Sequence, residues 1–454
     1  MDINPYIFRE YDIRGVVEQD FPPEVTELLG KGFGTFVKEK GIDKISLGGD
    51  VRLTTKTLKE AFAKGVLSTG VNITDIGIIP TPVSYFSIHY LNLQGAVQIT
   101  GSHNPPEFNG FKMTLSTGAV YGKQIFSIKD IIDSGEFAEG EGVTENKNIT
   151  DEYCRDIIDK IKLDKPIKII TDCGNGAGGL VAPKVLREIG CEVDELFTEP
   201  DGRFPNHHPD PTVEKYIKVL IEKVRNGNYD FGVAFDGDMD RIGVVDDKGN
   251  IVWADYLMAL LVEEVLAKGP KTIIFDVKCS QGLSERIEEL GGKPLMYKTG
   301  HSLIKEKLRE LDEDFAGEMS GHIFFGDEHY GYDDALYVAA RLARLMSRTE
   351  ESVSDKMAKL PKYYSTPEMR LSTSDDKTKF EIVEKAVEYF TKNFECDTID
   401  GVRIQYGDGW GLVRASNTQP VIVVRFEART EERLREIKDE VIGKLMEYGE
   451  IELD

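Results

Sequence analysis

At 454 residues the chain is long enough for about three average domains. Its formal net charge of −24 excludes nucleic acid as a natural partner, because such binding rests on neutralising phosphates with Lys and Arg. Hydrophobic residues reach 40%, enough for several cores; no basic start is followed by an apolar leader and no run of about 18 apolar residues is present, so a cytoplasmic protein with no membrane partner is expected. The five cysteines (Cys154, Cys173, Cys191, Cys279, Cys396) are scattered, with no C-x-x-C pair, and imply neither a disulfide framework nor a zinc site.

In chain order, three stretches share a layout. Ile45 to Asp50, Ile167 to Asp172 and Thr272 to Asp276 read as short apolar strands that end in Asp. Each is followed by a polar or Gly-containing loop and a helical pattern, such as Leu58 to Ser68 and Leu180 to Ile189. A second strand comes next: Ile76 to Pro80, Val193 to Phe197, and Pro294 to Tyr297. A further strand then carries a distinctive loop, holding Ser102, Asp236 and Glu318 in turn. Apolar strands alternating with helices predict parallel sheets covered on both faces, with ligands collecting at the carboxyl ends of strands. The expectation is three similar α/β domains with mixed, largely parallel sheets around a central cleft, at residues 1–148, 149–251 and 252–362. The polar segment 347–362 reads as a linker region. Residues 363–454 read as a C-terminal α+β domain. Its helix, Phe380 to Phe390, has Phe380, Val383, Ala386, Val387 and Phe390 on one face. Val402 to Tyr406 and Pro420 to Phe426 read as strands, Gly407 to Gly409 as a turn, and a last helix follows Thr430.

Several loops carry chemistry. Thr100 to Lys112 follows the apolar strand Gly95 to Ile99. Gly101 permits a sharp turn and Pro105-Pro106 resists regular structure, so one hydroxyl (Ser102), one imidazole (His103) and one ammonium (Lys112) are held at a strand end. Gly174 to Gly179 fits G-x-G-x-x-G, with Asp194 or Glu195 about twenty residues on, which would suit a nicotinamide-dependent enzyme. The same stretch is a strand-helix junction of the second repeat, and a tight turn is the preferred reading. His207 and His208, in Phe204 to Pro211, read as a polar loop held by prolines. In Asp236-Gly-Asp238-Met-Asp240-Arg241, three carboxylates spaced i, i+2, i+4 project the same way from extended chain. Such hard oxygen ligands suit Mg²⁺. The run also starts like a calcium EF-hand loop, but Arg241 stands where that loop needs Gly, and strands flank it. Arg414-Ala-Ser416-Asn417-Thr418 offers a planar guanidinium fork and short donors, a combination suited to phosphate.

Taken together, these loops resemble those of the α-D-phosphohexomutase family, and the resemblance covers essentially the whole chain in the same four-domain order. Gly317-Glu318-Met-Ser320-Gly-His322, Tyr11 to Gly15, Asp276 to Ser280 and Lys298 to Ser302 are further matches. Gln419-Pro420 stands where the family motif has Glu-Pro. The resemblance implies that Ser102 carries a phosphoryl group. It implies that Asp236, Asp238 and Asp240 bind Mg²⁺, with the Ser102 phosphate as a further ligand. Arg241, His103, Lys112 and Arg14 would surround the transferring group. Glu318 and Ser320 would grip adjacent sugar hydroxyls, with His301 and Lys278 facing the same sugar. Arg414, Ser416, Asn417 and Thr418 would hold the non-reacting phosphate. The implied reaction interconverts the 1- and 6-phosphates of glucose and mannose through hexose 1,6-bisphosphate, with hexose phosphates as the small-molecule partners. A phosphoglucosamine mutase is the alternative, and a nicotinamide enzyme the more distant one.

Overall fold

The computed structural model describes residues 3–416 and 421–453. Three of its four sheets repeat one plan. In the first, Lys44–Gly49 lies between Asn72–Ile78 and Gly95–Ile99, parallel to both. Gly95–Ile99 then reverses into Phe108–Leu115, which pairs antiparallel with it and with Ile13–Val16. In the second, Ile167–Asp172 lies between Cys191–Leu196 and Phe231–Phe235, and the latter reverses into Ile242–Asp246. In the third, Thr272–Asp276 lies between Lys293–Tyr297 and Phe315–Gly317, and the latter reverses into Ile323–Phe325. The three distinctive loops are therefore the same element repeated: the connection at which a parallel sheet turns antiparallel. Every residue of Gly95–Ile99, Phe231–Phe235 and Phe315–Gly317 is buried, as expected for strands covered on both faces.

The fourth sheet is antiparallel throughout. Its strands Val402–Gln405, Gly409–Ala415, Val421–Ala428 and Met369–Ser372 pair in that order beneath the helices Asp376–Asn393 and Glu431–Met446. The first and last sheets each have their own apolar core, around Phe33, Phe62 and Phe111 and around Phe390, Ile404 and Phe426. The second and third share one continuous core, running from Ile169 through Leu257 to Tyr337 and reaching Val83 and Phe86 of the helix Thr81–Tyr90. Among the described residues no helix is long and apolar enough to cross a membrane.

Four details differ from the sequence expectation. The expected helix at 180–189 is a 3₁₀ turn, Ala177–Leu180, and a helix, Ala182–Glu188, separated at Val181. Pro183 sits in the first turn of that helix, where its missing N–H costs nothing. The second strand of the first repeat begins at Asn72, earlier than Ile76, and its Asp75 side chain accepts from the N–H of Gly77. The supposed linker contains a helix, Val353–Ala358, closed by a Ser352/Asp355 capping box with Val353 buried. Phe380 is 48% exposed, while Ile382, Val383, Ala386 and Phe390 are buried. The helical repeat sets Phe380 off the face those four define.

Candidate active site

Ser102 opens the first reversal loop with φ of 48°, a left-handed conformation unusual for a residue with a Cβ. Its N–H donates to Thr100 Oγ1 at 2.8 Å, and its Oγ donates to Asp236 Oδ2 at 2.8 Å. The second reversal loop reaches it because Gly237 has no side chain: a Cβ there would collide with the Ser102 carbonyl. Asp236, Asp238 and Asp240 are fully buried, and one carboxylate oxygen from each lies within 4.8 Å of the others. Asp238 Oδ2 accepts from Thr81 Oγ1 (2.6 Å), Thr100 Oγ1 (3.1 Å) and Lys112 Nζ (2.8 Å). Lys112 also bonds Asp240 Oδ2. Asp236 Oδ1 accepts the N–H groups of Asp240 and Arg241.

Burial in this cluster is decided by neighbours. It raises the pKa of Asp236, and the charges of Asp240 and Asp238 raise it further. For Asp238 the same burial is outweighed by Lys112, which holds its carboxyl below the usual range. Burial alone would lower the pKa of Lys112, but Asp238 and Asp240 raise it, so it stays an ammonium. Asp238 Oδ1 and Asp240 Oδ1 are buried and without a hydrogen-bond partner. Orphaned carboxylate oxygens are costly unless a cation or donor completes them. The trio therefore fits a hard divalent cation.

Arg241 stands between two histidines. Its Nε donates to His322 Nε2 at 2.9 Å, and its NH1 lies 3.5 Å from His103 Nε2. A guanidinium only donates, so both imidazoles accept at Nε2 and carry their proton on Nδ1. His103 Nδ1 then faces Ser102 Oγ at 3.1 Å. Burial first, then Arg241, Arg14 and Lys112, hold His103 well below the ordinary histidine range, so it is neutral. His322 Nδ1 faces Asp333 Oδ2 at 3.0 Å and Asp240 Oδ1 at 3.7 Å. Arg14 joins through Asn104 Oδ1 at 3.0 Å and is paired with Asp12.

The third reversal loop adjoins this group. The His322 ring stacks on His301 with centroids 5.0 Å apart. His301 is pushed down to about 4 by burial, then by Lys305, despite Asp333 at 3.4 Å. The N–H of Gly300 donates to Glu318 Oε1 at 2.6 Å, and Ser320 Oγ lies 3.5 Å from Glu318 Oε2. Burial raises the Glu318 pKa, opposed by His322. Lys278 Nζ is paired with Glu368 Oε2 at 3.1 Å. Thr299 is a junction. Its carbonyl accepts from Tyr11 Oη at 2.9 Å, and its N–H donates to Asp400 Oδ2 at 3.1 Å. Asp400 Oδ2 in turn accepts from Arg414 Nε at 3.0 Å. A series of contacts thus runs from Ser102 through His103, Arg241, His322, His301, Tyr11, Thr299 and Asp400 to Arg414. The backbone N–H of Ser416 closes on the Val421 carbonyl at 3.0 Å. Asn417 and Thr418 lie outside the described residues.

The sequence reading gave no role to His322, Asp333, Thr81, Glu368 or Asp400. Only His322 had a signal, four residues after Glu318 in the same motif. In the Gly174 to Gly179 turn the N–H groups that a pyrophosphate would need are engaged within the protein. Those at Gly174, Asn175, Gly176 and Ala177 already donate to Asp172, Phe197, Cys173 and Gly237. A Cβ on Gly179 would collide with the Thr198 carbonyl. His207 Nε2 lies 3.0 Å from Asp172 Oδ1, which fastens the prolyl loop to the end of the central strand of the second sheet.

The chain matches the family descriptions Phosphoglucomutase/phosphomannomutase, alpha/beta/alpha domain I at residues 5–139, domain II at 151–249, domain III at 253–364, and C-terminal domain at 353–444. It is 44% identical to a Pseudomonas putida phosphomannomutase/phosphoglucomutase over 95% of this chain and 94% of that one. It is 40% identical to a Neisseria meningitidis phosphoglucomutase over 96% and 95%. A crystal structure of a Burkholderia thailandensis phosphoglucomutase/phosphomannomutase family protein superposes with a TM-score of 0.94 at 40% identity, covering 99% of this chain and 100% of that one.

Proposed function

The chain belongs to the phosphoglucomutase/phosphomannomutase family of α-D-phosphohexomutases, and we propose that it interconverts hexose 1- and 6-phosphates by carrying a phosphoryl group on Ser102. The observation that carries this reading is the setting of Ser102 Oγ, 2.8 Å from a carboxylate of the Asp236 cluster and 3.1 Å from a neutral imidazole. The reading assigns Mg²⁺ to Asp236, Asp238 and Asp240, supported by the orphaned oxygens of Asp238 and Asp240. When bound, the ion supplies positive charge to the phosphoryl oxygens during transfer.

The chain's own groups account for the rest. A free hydroxyl of the bound hexose phosphate attacks the phosphorus on Ser102. The new sugar O–P bond forms as the bond to Ser102 Oγ breaks; that oxygen keeps the electron pair and takes up a proton in place of the one the attacking hydroxyl releases. The Nδ1–H of His103 is placed to hydrogen-bond that oxygen. Arg241, Lys112 and Arg14 offset negative charge around the transfer, which is mainly a matter of positioning and electrostatics. The hexose 1,6-bisphosphate so formed turns around, and its other phosphoryl returns to Ser102. Glu318 and Ser320 hold neighbouring sugar hydroxyls in either orientation, with His301 and Lys278 beside them, while the loop at Arg414, Ser416, Asn417 and Thr418 grips the phosphate that does not react. A cytoplasmic setting belongs to this reading, supported by five free cysteines.

Glucose and mannose phosphates should both serve, because a site that reads two hydroxyls common to them loses no contact with either. Incubation with hexose 1,6-bisphosphate should add one phosphoryl mass to the peptide containing Ser102. Ser102→Ala should take no label and show no turnover; equal labelling of that variant overturns the reading. A clear kcat/KM preference for glucosamine 1-phosphate would transfer the same mechanism to the amino sugar.

A further inference from the structure

The phosphoserine loop is held by a side chain outside it. Arg52 lies in the loop after the central strand of the first sheet, two residues beyond the Asp that ends the apolar run. It is buried, with 3% of its surface exposed. Its NH1 donates to the carbonyls of Pro105 (2.6 Å) and Phe108 (2.9 Å). Its NH2 donates to the carbonyls of Ser102 (2.9 Å) and Asn104 (2.5 Å). Four carbonyls of one short loop thus converge on one guanidinium, whose planar set of five donors suits such a task.

Asp50 fixes the guanidinium and the start of the loop together. Its Oδ2 lies 3.2 Å from Arg52 Nε and accepts from Thr100 Oγ1 (2.8 Å) and the Gly101 N–H (3.1 Å). Its Oδ1 accepts from the N–H of Arg52 and from Thr55 Oγ1. The Phe204 ring stands 5.1 Å from the guanidinium carbon. The approach is close enough to dictate the sequence: a Cβ at Gly101 would collide with the Arg52 guanidinium. Gly101 therefore precedes Ser102 to admit Arg52. The strained φ of Ser102 persists because its own carbonyl is one of the four that Arg52 holds.

We propose that Arg52 is the positioning residue that sets the Ser102 loop, so that phosphoryl transfer depends on it and hexose phosphate binding does not. The inference rests on Ser102 being the phosphocarrier. The substrate-binding groups on the Glu318 and Arg414 loops share none of the bonds Arg52 makes.

The test compares Arg52→Met, Arg52→Lys and Gly101→Ala with wild type and Ser102→Ala. It reads kcat and KM for glucose 1-phosphate, the rate of phosphoryl labelling by glucose 1,6-bisphosphate, and thermal midpoints. Arg52→Met should lose on the order of 100-fold in kcat and in labelling rate, with KM within about threefold, because small misplacements of reacting groups cost that much. Arg52→Lys should recover little, since one ammonium cannot reach four carbonyls. Gly101→Ala should give the same kcat-selective loss with Arg52 intact, and it decides the matter if the Arg52 variants do not fold. A folded Arg52→Met with kcat within twofold of wild type overturns the proposal, as does a loss that appears wholly in KM. Turnover by Ser102→Ala would instead overturn the phosphocarrier reading on which it rests.

Discussion

Around Ser102 the charged side chains of the first and second sheets are tied into one buried cluster, whereas around Arg414 separate pairs span the boundary between the third and fourth sheets. Asp238 alone takes Lys112, Thr81 and Thr100, and Lys112 takes Asp240 as well. At the other end, Arg414 is bound to Asp400, which also holds Thr299 of the neighbouring sheet. Lys278 is bound to Glu368 across the same boundary. Beside them Arg403 donates to the carbonyls of Val277 and Cys279, and Arg425 approaches Asp255 at 3.3 Å. A small apolar cluster of Val277, Trp410 and Leu412 also spans this boundary, whereas the second and third sheets share one extensive core. Single polar pairs across a boundary exchange partners more readily than a buried network in which each group has several. In the proposed cycle this difference suits the chemistry: the transfer end has to be preorganised, and the Arg414 end has to exchange Asp400 for a phosphate.

If the Ser102 end is preorganised, removing one charge from it should damage catalysis more than folding. Asp238→Asn should lower kcat by about 10²–10³-fold, the usual loss when one preorganised electrostatic group is removed. Calorimetric titration should show weaker Mg²⁺ binding, with the thermal midpoint nearly unchanged. Full activity in a metal-free preparation of either protein would break the contrast. At the other end the loss should fall on binding. Arg414→Ala should raise KM about 10–100-fold, because a charge-assisted phosphate contact made in both ground and transition states contributes to binding rather than to the barrier. A smaller fall in kcat is expected where the phosphate draws the fourth sheet onto the third. An unchanged kcat/KM would place Arg414 outside the site.

The contrast also explains what the sequence could and could not reveal. The Ser102 and Asp236 loops are contiguous stretches that stand out in the sequence, and the structure brings Ser102 Oγ and Asp236 Oδ2 together at 2.8 Å. The threefold layout was legible because largely buried strands ending in Asp leave a plain apolar pattern. The repeated Asp proved to be a fastener in each sheet. Asp50 holds Gly101, Asp172 holds Gly174 and His207, and Asp276 holds Thr299 and Met319. What pattern could not supply was partnership between distant segments. Asp333 meets His322 only because the chain returns to bridge Asp333 to Phe324, and Glu368 meets Lys278 only once the fourth sheet docks. Phe380 was misread for a local reason: one aromatic at near-helical spacing looks like a core position until the full turn is counted.

The smallest expected effect concerns the fastener of the second sheet. His207 Nε2 lies 3.0 and 3.1 Å from the two oxygens of Asp172, and its Nδ1 faces the His208 carbonyl at 2.9 Å. Both ring nitrogens therefore meet acceptors, the arrangement that favours the imidazolium. Burial works against that charge, but Asp172 outweighs it, and the His207 pKa is raised. A folded-state pKa above the unfolded value of about 6.5 gives stability that is fully present below that value and is lost as pH rises through the folded one. His207→Gln should therefore cost about 1 kcal/mol in mildly acidic buffer and progressively less toward alkaline pH. Urea unfolding of both proteins across that range measures the gap, with His208→Gln as a control whose gap should not follow the same course. The loop matters to the larger contrast because Pro209, two residues on, packs against both Gly174 and Gly237. Deprotonating His207 should thus slacken the support beneath the Asp236 loop while leaving the Arg414 end untouched: kcat should fall slightly in His207→Gln with KM unchanged. A gap in stability that is flat with pH would show that His207 is held as a neutral ring, and a change confined to KM would show that this loop serves the binding end instead.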